Sequence, residues 1–205
     1  MDTNKNILTL DSIAGYATED ALWQLLADLC GLVKDVAQLP LHALTPDRII
    51  IDGRRFVFAE QTPQPIIGHQ DKFTAPELLN AKEEEFLDGQ RRTQAVVWTI
   101  GALLYYCSSG RYVFGGRGGS YQLCHPEAVL PSLRREHAAL ALVVSSCLDS
   151  NPAKRMTLEQ LETMRGTGTV HHKEEKKIEM QANRKVVKDH YESCWPEAFV
   201  PLKHS

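Results

Sequence analysis

The chain has 205 residues, 43% hydrophobic and 24% charged, with a net charge of -3 and a pI near 6.2. That composition is globular, and the length holds one ordinary domain plus an appendage. With no basic excess to grip a phosphate backbone, nucleic acid is not expected as a partner.

The N-terminus, Met1 to Asn6, is polar and leads into no signal-peptide core. The longest apolar stretch, Ala95 to Cys107, falls short of the about 20 residues that cross a bilayer. A cytoplasmic protein without membrane insertion is therefore expected. The five cysteines (Cys30, Cys107, Cys124, Cys147, Cys194) are an odd number with no C-x-x-C spacing. Cys30, Cys107 and Cys147 fall in apolar helical patterns, where a thiol acts as a small hydrophobe. Cys124-His125 lacks the second half of a zinc site, and neither a metal nor a cofactor is expected.

In chain order, a short apolar segment over residues 7–17 comes first, with Ile7, Leu8, Leu10, Ile13 and Tyr16. Thr18 then caps a helix whose first turn carries Glu19 and Asp20, favourable at the positive end of the dipole. Leu22, Leu25, Leu26, Leu29, Val33 and Val36 give it one apolar face, to about Gln38. Arg48 to Asp52 and Arg55 to Glu60 are β-prone runs joined at Asp52-Gly53, a hairpin signal. Thr62 to Asp71, with Pro63, Pro65 and Gly68, is expected to be loop.

Thr93 to Cys107 is apolar around most of its circumference, which predicts a buried central helix. The five glycines between Gly110 and Tyr121 predict a flexible loop; no Walker lysine follows a strand there. A further helix is expected from Leu133 to Leu148. Another starts at Thr157, where Thr157 with Gln160 forms a capping box and Met156 with Leu161 a hydrophobic staple. The Gly-Thr repeats after Arg165 mark a boundary, dividing a body over residues 1–165 from an extension over 166–205. The extension opens on a charged run from His171 to Lys177 and ends with Tyr191, Trp195 and Phe199.

Four of these segments, in order, resemble the C-lobe of a protein kinase. Leu41-His42-Ala43-Leu44-Thr45-Pro46-Asp47-Arg48-Ile49 is similar to the catalytic loop H-R-D-L-K-P-x-N-I, and a hairpin follows it. Phe73-Thr74-Ala75-Pro76-Glu77 resembles the A-P-E segment, and Val97-Trp98-Thr99-Ile100-Gly101 the central helix. Cys147-Leu148-Asp149 to Thr157, through Arg155, resembles the end of the lobe. The resemblance implies a mainly α (α+β) domain, a kinase C-lobe-like helical body with a small β-hairpin. It also implies a salt bridge between Glu77 and Arg155.

The same alignment removes the catalytic groups. Phosphoryl transfer needs an Asp to orient the hydroxyl, an Asn and an Asp to hold magnesium, and a lysine for the phosphates. Those positions fall on Ala43 (Asp), Thr45 (the loop Lys), Arg48 (Asn) and Glu60 (the D-F-G Asp). Too few residues precede Thr18 for five strands, which alone take ~25–30 residues, so no N-lobe is expected. The expectation is a non-enzyme that binds no ATP.

The kinase non-catalytic C-lobe domain, KIND, resembles the chain more closely still. Its opening is similar to Leu8-Thr9-Leu10-Asp11-Ser12-Ile13 followed by Glu19-Asp20-Ala21-Leu22-Trp23, and its body to Phe73 to Glu77 and Thr99 to Tyr105. That likeness implies a pseudokinase scaffold for protein–protein interaction, with a basic peptide among the partners of such domains. The alternatives are a remnant kinase completed by an N-lobe in trans, or a permanent structural subunit of a larger assembly. Two partner surfaces are expected to compete: an acidic patch of Glu83, Glu84, Glu85 and Asp88, and the tail aromatics Tyr191, Trp195 and Phe199. The aromatics have a second reading, in which at least one of Trp195 and Phe199 packs against residues 18–165.

Overall fold

In a computed structural model, the described residues are 8–34, 44–59, 68–79, 89–130, 132–133 and 137–164. They form a mainly helical body with one two-stranded antiparallel sheet. The helices are α1 (Glu19–Leu32), α2 (His69–Phe73), α3 (Pro76–Leu79), α4 (Gly89–Ser109), α5 (Val113–Gly116), α6 (Gly119–Cys124), α7 (Ala138–Cys147) and α8 (Leu158–Met164). The strands are β1 (Ile49–Asp52) and β2 (Arg55–Phe58), in the register Ile49 to Phe58 and Asp52 to Arg55. Gly53, at φ 59, takes the positive backbone angle that the hairpin turn requires.

Caps read from sequence sit where the helices start. Thr18 accepts a hydrogen bond from the Ala21 amide at 3.2 Å. The Thr157 amide donates to Gln160 Oε1 at 2.8 Å, and the Gln160 amide donates to Thr157 Oγ1 at 3.2 Å. Helix α1 packs on β2 through one buried carboxylate: Asp28 accepts from Arg55 Nε and from the Phe56 amide, each at 2.8 Å. It is described as helix only to Leu32, and residues 35–43 lie outside the described set.

Helix α4 is the axis of the core. Val96, Val97, Trp98, Ile100, Leu103 and Leu104 are all fully buried on it, which is why its sequence shows little amphipathic contrast. Trp98 satisfies its indole by donating to Gln122 Oε1 at 2.7 Å, and Gln122 in turn donates to the Leu148 carbonyl at 2.6 Å. Gly101 sets the approach of α7: a Cβ there would stand 2.5 Å from Cys147 Cβ. Helix α4 begins before the expected Thr93 and ends after Cys107, because the polar first turn of Gly89 to Arg92 continues the same helix. Helix α7 is shorter than the expected Leu133 to Leu148. No helix among the described residues is long and apolar enough to cross a membrane.

Two stretches expected as loop contain helix. His69 opens α2 at the end of the Pro- and Gly-containing segment, because Gly68 at φ 90 turns the chain into it. The glycine-rich stretch holds α5 and α6 and is packed, not free. A Cβ at Gly118 would lie 2.4 Å from the Lys72 carbonyl oxygen, and one at Gly119 would lie 2.1 Å from that of Thr74. The absent side chains let this backbone press on the end of α2 and on the segment that joins it to α3.

Candidate functional site

Three polar side chains from distant segments meet, with Asp47 and His69 buried and Asp11 partly buried. Asp11 stands on a 3-10 turn, Leu10–Ile13, pinned by the burial of Leu10 and Ile13 on either side. That segment runs beside β1, with the Ile51 amide donating to the Leu8 carbonyl at 2.8 Å. Asp47 stands on a second 3-10 turn, Pro46–Arg48, held by buried Leu44 and Pro46 and an Arg48 amide bond to the Thr45 carbonyl at 3.0 Å. His69 is the first residue of α2.

The imidazole Nδ1 lies 3.3 Å from Asp47 Oδ1 and 3.9 Å from Asp11 Oδ2. One ligand atom from each of the three residues can be chosen so that all lie within 4.8 Å of one another. Aromatic hydroxyls close the outside of the cluster. The Tyr112 hydroxyl is 3.0 Å from His69 Nε2, and Tyr106 donates to Asp11 Oδ1 at 3.0 Å. Tyr106 and Tyr112 stack with centroids 5.0 Å apart, and Phe73 meets both edge-on. This stacking depends on a sharp turn after α4, where Gly110 (φ 69) lies against Gly15 (φ 78) and the Gly15 amide donates to the Cys107 carbonyl at 2.8 Å.

Burial dominates the electrostatics. It raises the Asp11 carboxyl above its ordinary range, against the Tyr106 hydrogen bond and the His69 charge, and Asp47 nearby pushes the same way as burial. Burial also raises Tyr106, reinforced by the charge of Asp11, so its phenol stays a donor. Asp11 Oδ2 and Asp47 Oδ2 are buried with no hydrogen-bond partner. An imidazole facing two carboxylates, with spare oxygen lone pairs inside, is chemically a proton-sharing or cation-holding arrangement.

The residues singled out from sequence fall elsewhere. Glu77 on α3 and Arg155, just after the 3-10 turn Pro152–Lys154, form a two-pronged ion pair. Arg155 Nη1 donates to Glu77 Oε1 at 2.5 Å and Nη2 to Oε2 at 2.9 Å, with 78 positions between the partners. The guanidinium is fully buried and also donates to the carbonyls of Gln94 (3.0 Å) and Asp149 (2.8 Å). Thr45 is buried, and the Arg48 guanidinium lies over the Phe58 ring, 5.3 Å from its centroid. Ala43 and Glu60 lie outside the described residues, as do Glu83, Glu84, Glu85 and Asp88 and the tail residues Tyr191, Trp195 and Phe199.

Asp11, Asp47 and His69 were not legible as a site, since each sits alone in its segment with no motif spacing. The nearest sequence signal was negative: each is a polar residue set against buried apolar neighbours. Compared with known proteins, the chain matches no protein-family model and no curated protein.

Proposed function

We propose that the chain is a kinase C-lobe-like domain of the KIND type, non-catalytic, that acts in the cytoplasm as a protein-binding scaffold. The observation that carries the reading is the Glu77–Arg155 pair. Helical packing alone gives no reason for a glutamate after Ala75-Pro76 to meet an arginine 78 positions away, whereas a kinase C-lobe does. Further support comes from the order of parts: a turn at Pro46, a hairpin, a short α3 carrying Glu77, and a buried central α4. At the catalytic-loop positions, Thr45 is buried and the Arg48 guanidinium lies over Phe58, where a kinase needs groups facing its nucleotide.

The partner that fits this reading is a basic peptide segment meeting Glu83, Glu84, Glu85 and Asp88. The test is capture from native lysate with the full chain as bait, beside a Glu83→Gln, Glu84→Gln, Glu85→Gln variant of unchanged melting temperature. A partner with a basic segment, retained by the wild type and lost by the variant, supports the reading. Phosphoryl transfer by the purified chain to a generic substrate, or a capture profile the variant does not alter, overturns it.

A further inference from the structure

We propose that Asp11, Asp47 and His69 form a binding site for a divalent cation of the zinc class, which clamps the N-terminal turn to the body of the domain. The atoms are already divided into an outer and an inner set. On the outside, His69 Nε2 meets the Tyr112 hydroxyl and Asp11 Oδ1 accepts from Tyr106, each at 3.0 Å. Such outer partners orient ligating imidazoles and carboxylates and fix the imidazole tautomer. The tautomer in which Nε2–H donates to the Tyr112 oxygen turns the Nδ1 lone pair inward. There it faces the carboxylates of Asp11 and Asp47, whose Oδ2 atoms are buried and unpartnered, on an Asp47 side chain only 8% exposed.

A proton alone serves this geometry poorly. A charge-assisted bond from imidazolium to carboxylate is expected at about 2.7–2.9 Å. Here the closer carboxylate is 3.3 Å from Nδ1 and the other 3.9 Å. A single proton also leaves both Oδ2 atoms without a donor, which is costly in the interior. Ligands held about 2.0–2.1 Å from a tetrahedral metal lie about 3.4 Å from each other, close to the spacing found. The whole set lies within 4.8 Å, and a bound cation would draw it together. One cation thus satisfies every inward atom.

The donor set names the class. An imidazole nitrogen disfavours calcium and magnesium, the lack of sulfur disfavours copper(I), and nitrogen with two carboxylates suits zinc, then manganese. The ligands come from three segments: the turn beside β1, the turn before β1, and the start of α2. Occupancy would therefore order residues 8–13 against the body. The inference rests on these contacts and is independent of the protein-binding reading.

The test uses the full-length chain, stripped with a chelator and titrated with zinc chloride in a calorimeter. A single equivalent should bind. Asp47→Asn should abolish binding, and Tyr112→Phe, which touches only the outer shell, should weaken it roughly 10–100-fold. His171→Ala with His172→Ala, and His125→Ala, should leave it unchanged. Hydrogen exchange at Leu10 to Ile13 should slow on zinc addition in the wild type and not in Asp47→Asn. Should Asp47→Asn fail to fold, cobalt(II) added to the His171→Ala, His172→Ala variant decides: visible bands of a nitrogen–oxygen site, without a thiolate charge-transfer band, are expected. A wild type that takes up neither zinc nor manganese overturns the site. So does zinc binding that disappears with His171 and His172, which would be adventitious capture by the tail.

Discussion

Replacing Arg155 by alanine removes a side chain that joins α3 to the rest of the body. It donates four hydrogen bonds, two to Glu77 and one each to the carbonyls of Gln94 and Asp149. The guanidinium is fully buried, while the Glu77 side chain keeps 24% of its exposure. Removing one partner of a buried pair costs on the order of 3–5 kcal/mol. The stranded Glu77 regains some water through its exposed edge, which lowers its share. The two carbonyls lose charge-assisted donors, each contributing about 1.5–3 kcal/mol when present, which restores the total. An expected loss of about 4 kcal/mol is a large part of the roughly 5–15 kcal/mol that holds a domain together. Urea unfolding followed by tryptophan fluorescence reads it directly, since Trp23 and Trp98 are both buried. Arg155→Lys keeps the charge but not the fork, and should fall between wild type and alanine. Glu77→Gln with Arg155→Met leaves no charge stranded and should recover part of the loss. A loss below about 1 kcal/mol for Arg155→Ala, or strictly additive single and double variants, would refute the view that this pair fastens α3 to the body.

Mg-ATP in large excess is expected to leave the melting temperature where Mg2+ alone leaves it; a ligand at 100 times its dissociation constant would stabilise by about 2.7 kcal/mol, so a saturable rise would refute the non-catalytic reading. Gly101→Ala should destabilise by about 1–3 kcal/mol in urea, because the new Cβ would stand 2.5 Å from Cys147 Cβ. Alanine is otherwise the better helix former by about 1 kcal/mol, so a stabilised variant would show that α4 and α7 are not in such contact. In a Cys194→Ser background, a thiol reagent at neutral pH should label exposed Cys124 quickly and Cys30, Cys107 and Cys147 only on unfolding. Burial pushes the Cys147 thiol up to about 12 and raises Cys107 as well. Raising the pH from 7 to 9 should therefore leave Cys107 and Cys147 unlabelled. Equal rates at all four positions would contradict the packing of α4 against α7.

What the sequence determined by itself is the local part of the fold. The Thr18 and Thr157 caps join residues three apart, and the hairpin turns on one glycine. The central helix announces itself by apolar residues on every side. These features rest on contacts within a turn or two of chain, so composition and spacing report them. The glycine-rich stretch misled for the opposite reason. Glycine signals freedom of the backbone, but here it allows Gly118 and Gly119 to touch the backbone of Lys72 and Thr74, and nothing nearby in sequence predicts that neighbour. The Glu77–Arg155 pair was readable only through resemblance, since no periodicity links such distant positions, and its bonds to the Gln94 and Asp149 carbonyls were not readable at all. The cluster of Asp11, Asp47 and His69 belongs wholly to the tertiary structure. Each residue is unremarkable in its own segment. Only the packing of the N-terminal turn beside β1, with the Gly15–Gly110 approach that stacks Tyr112 on Tyr106, brings two carboxylates and an imidazole to one point. Local pattern sets which residues are helical or buried, whereas the meeting of three polar groups depends on long-range geometry that no short window of sequence contains.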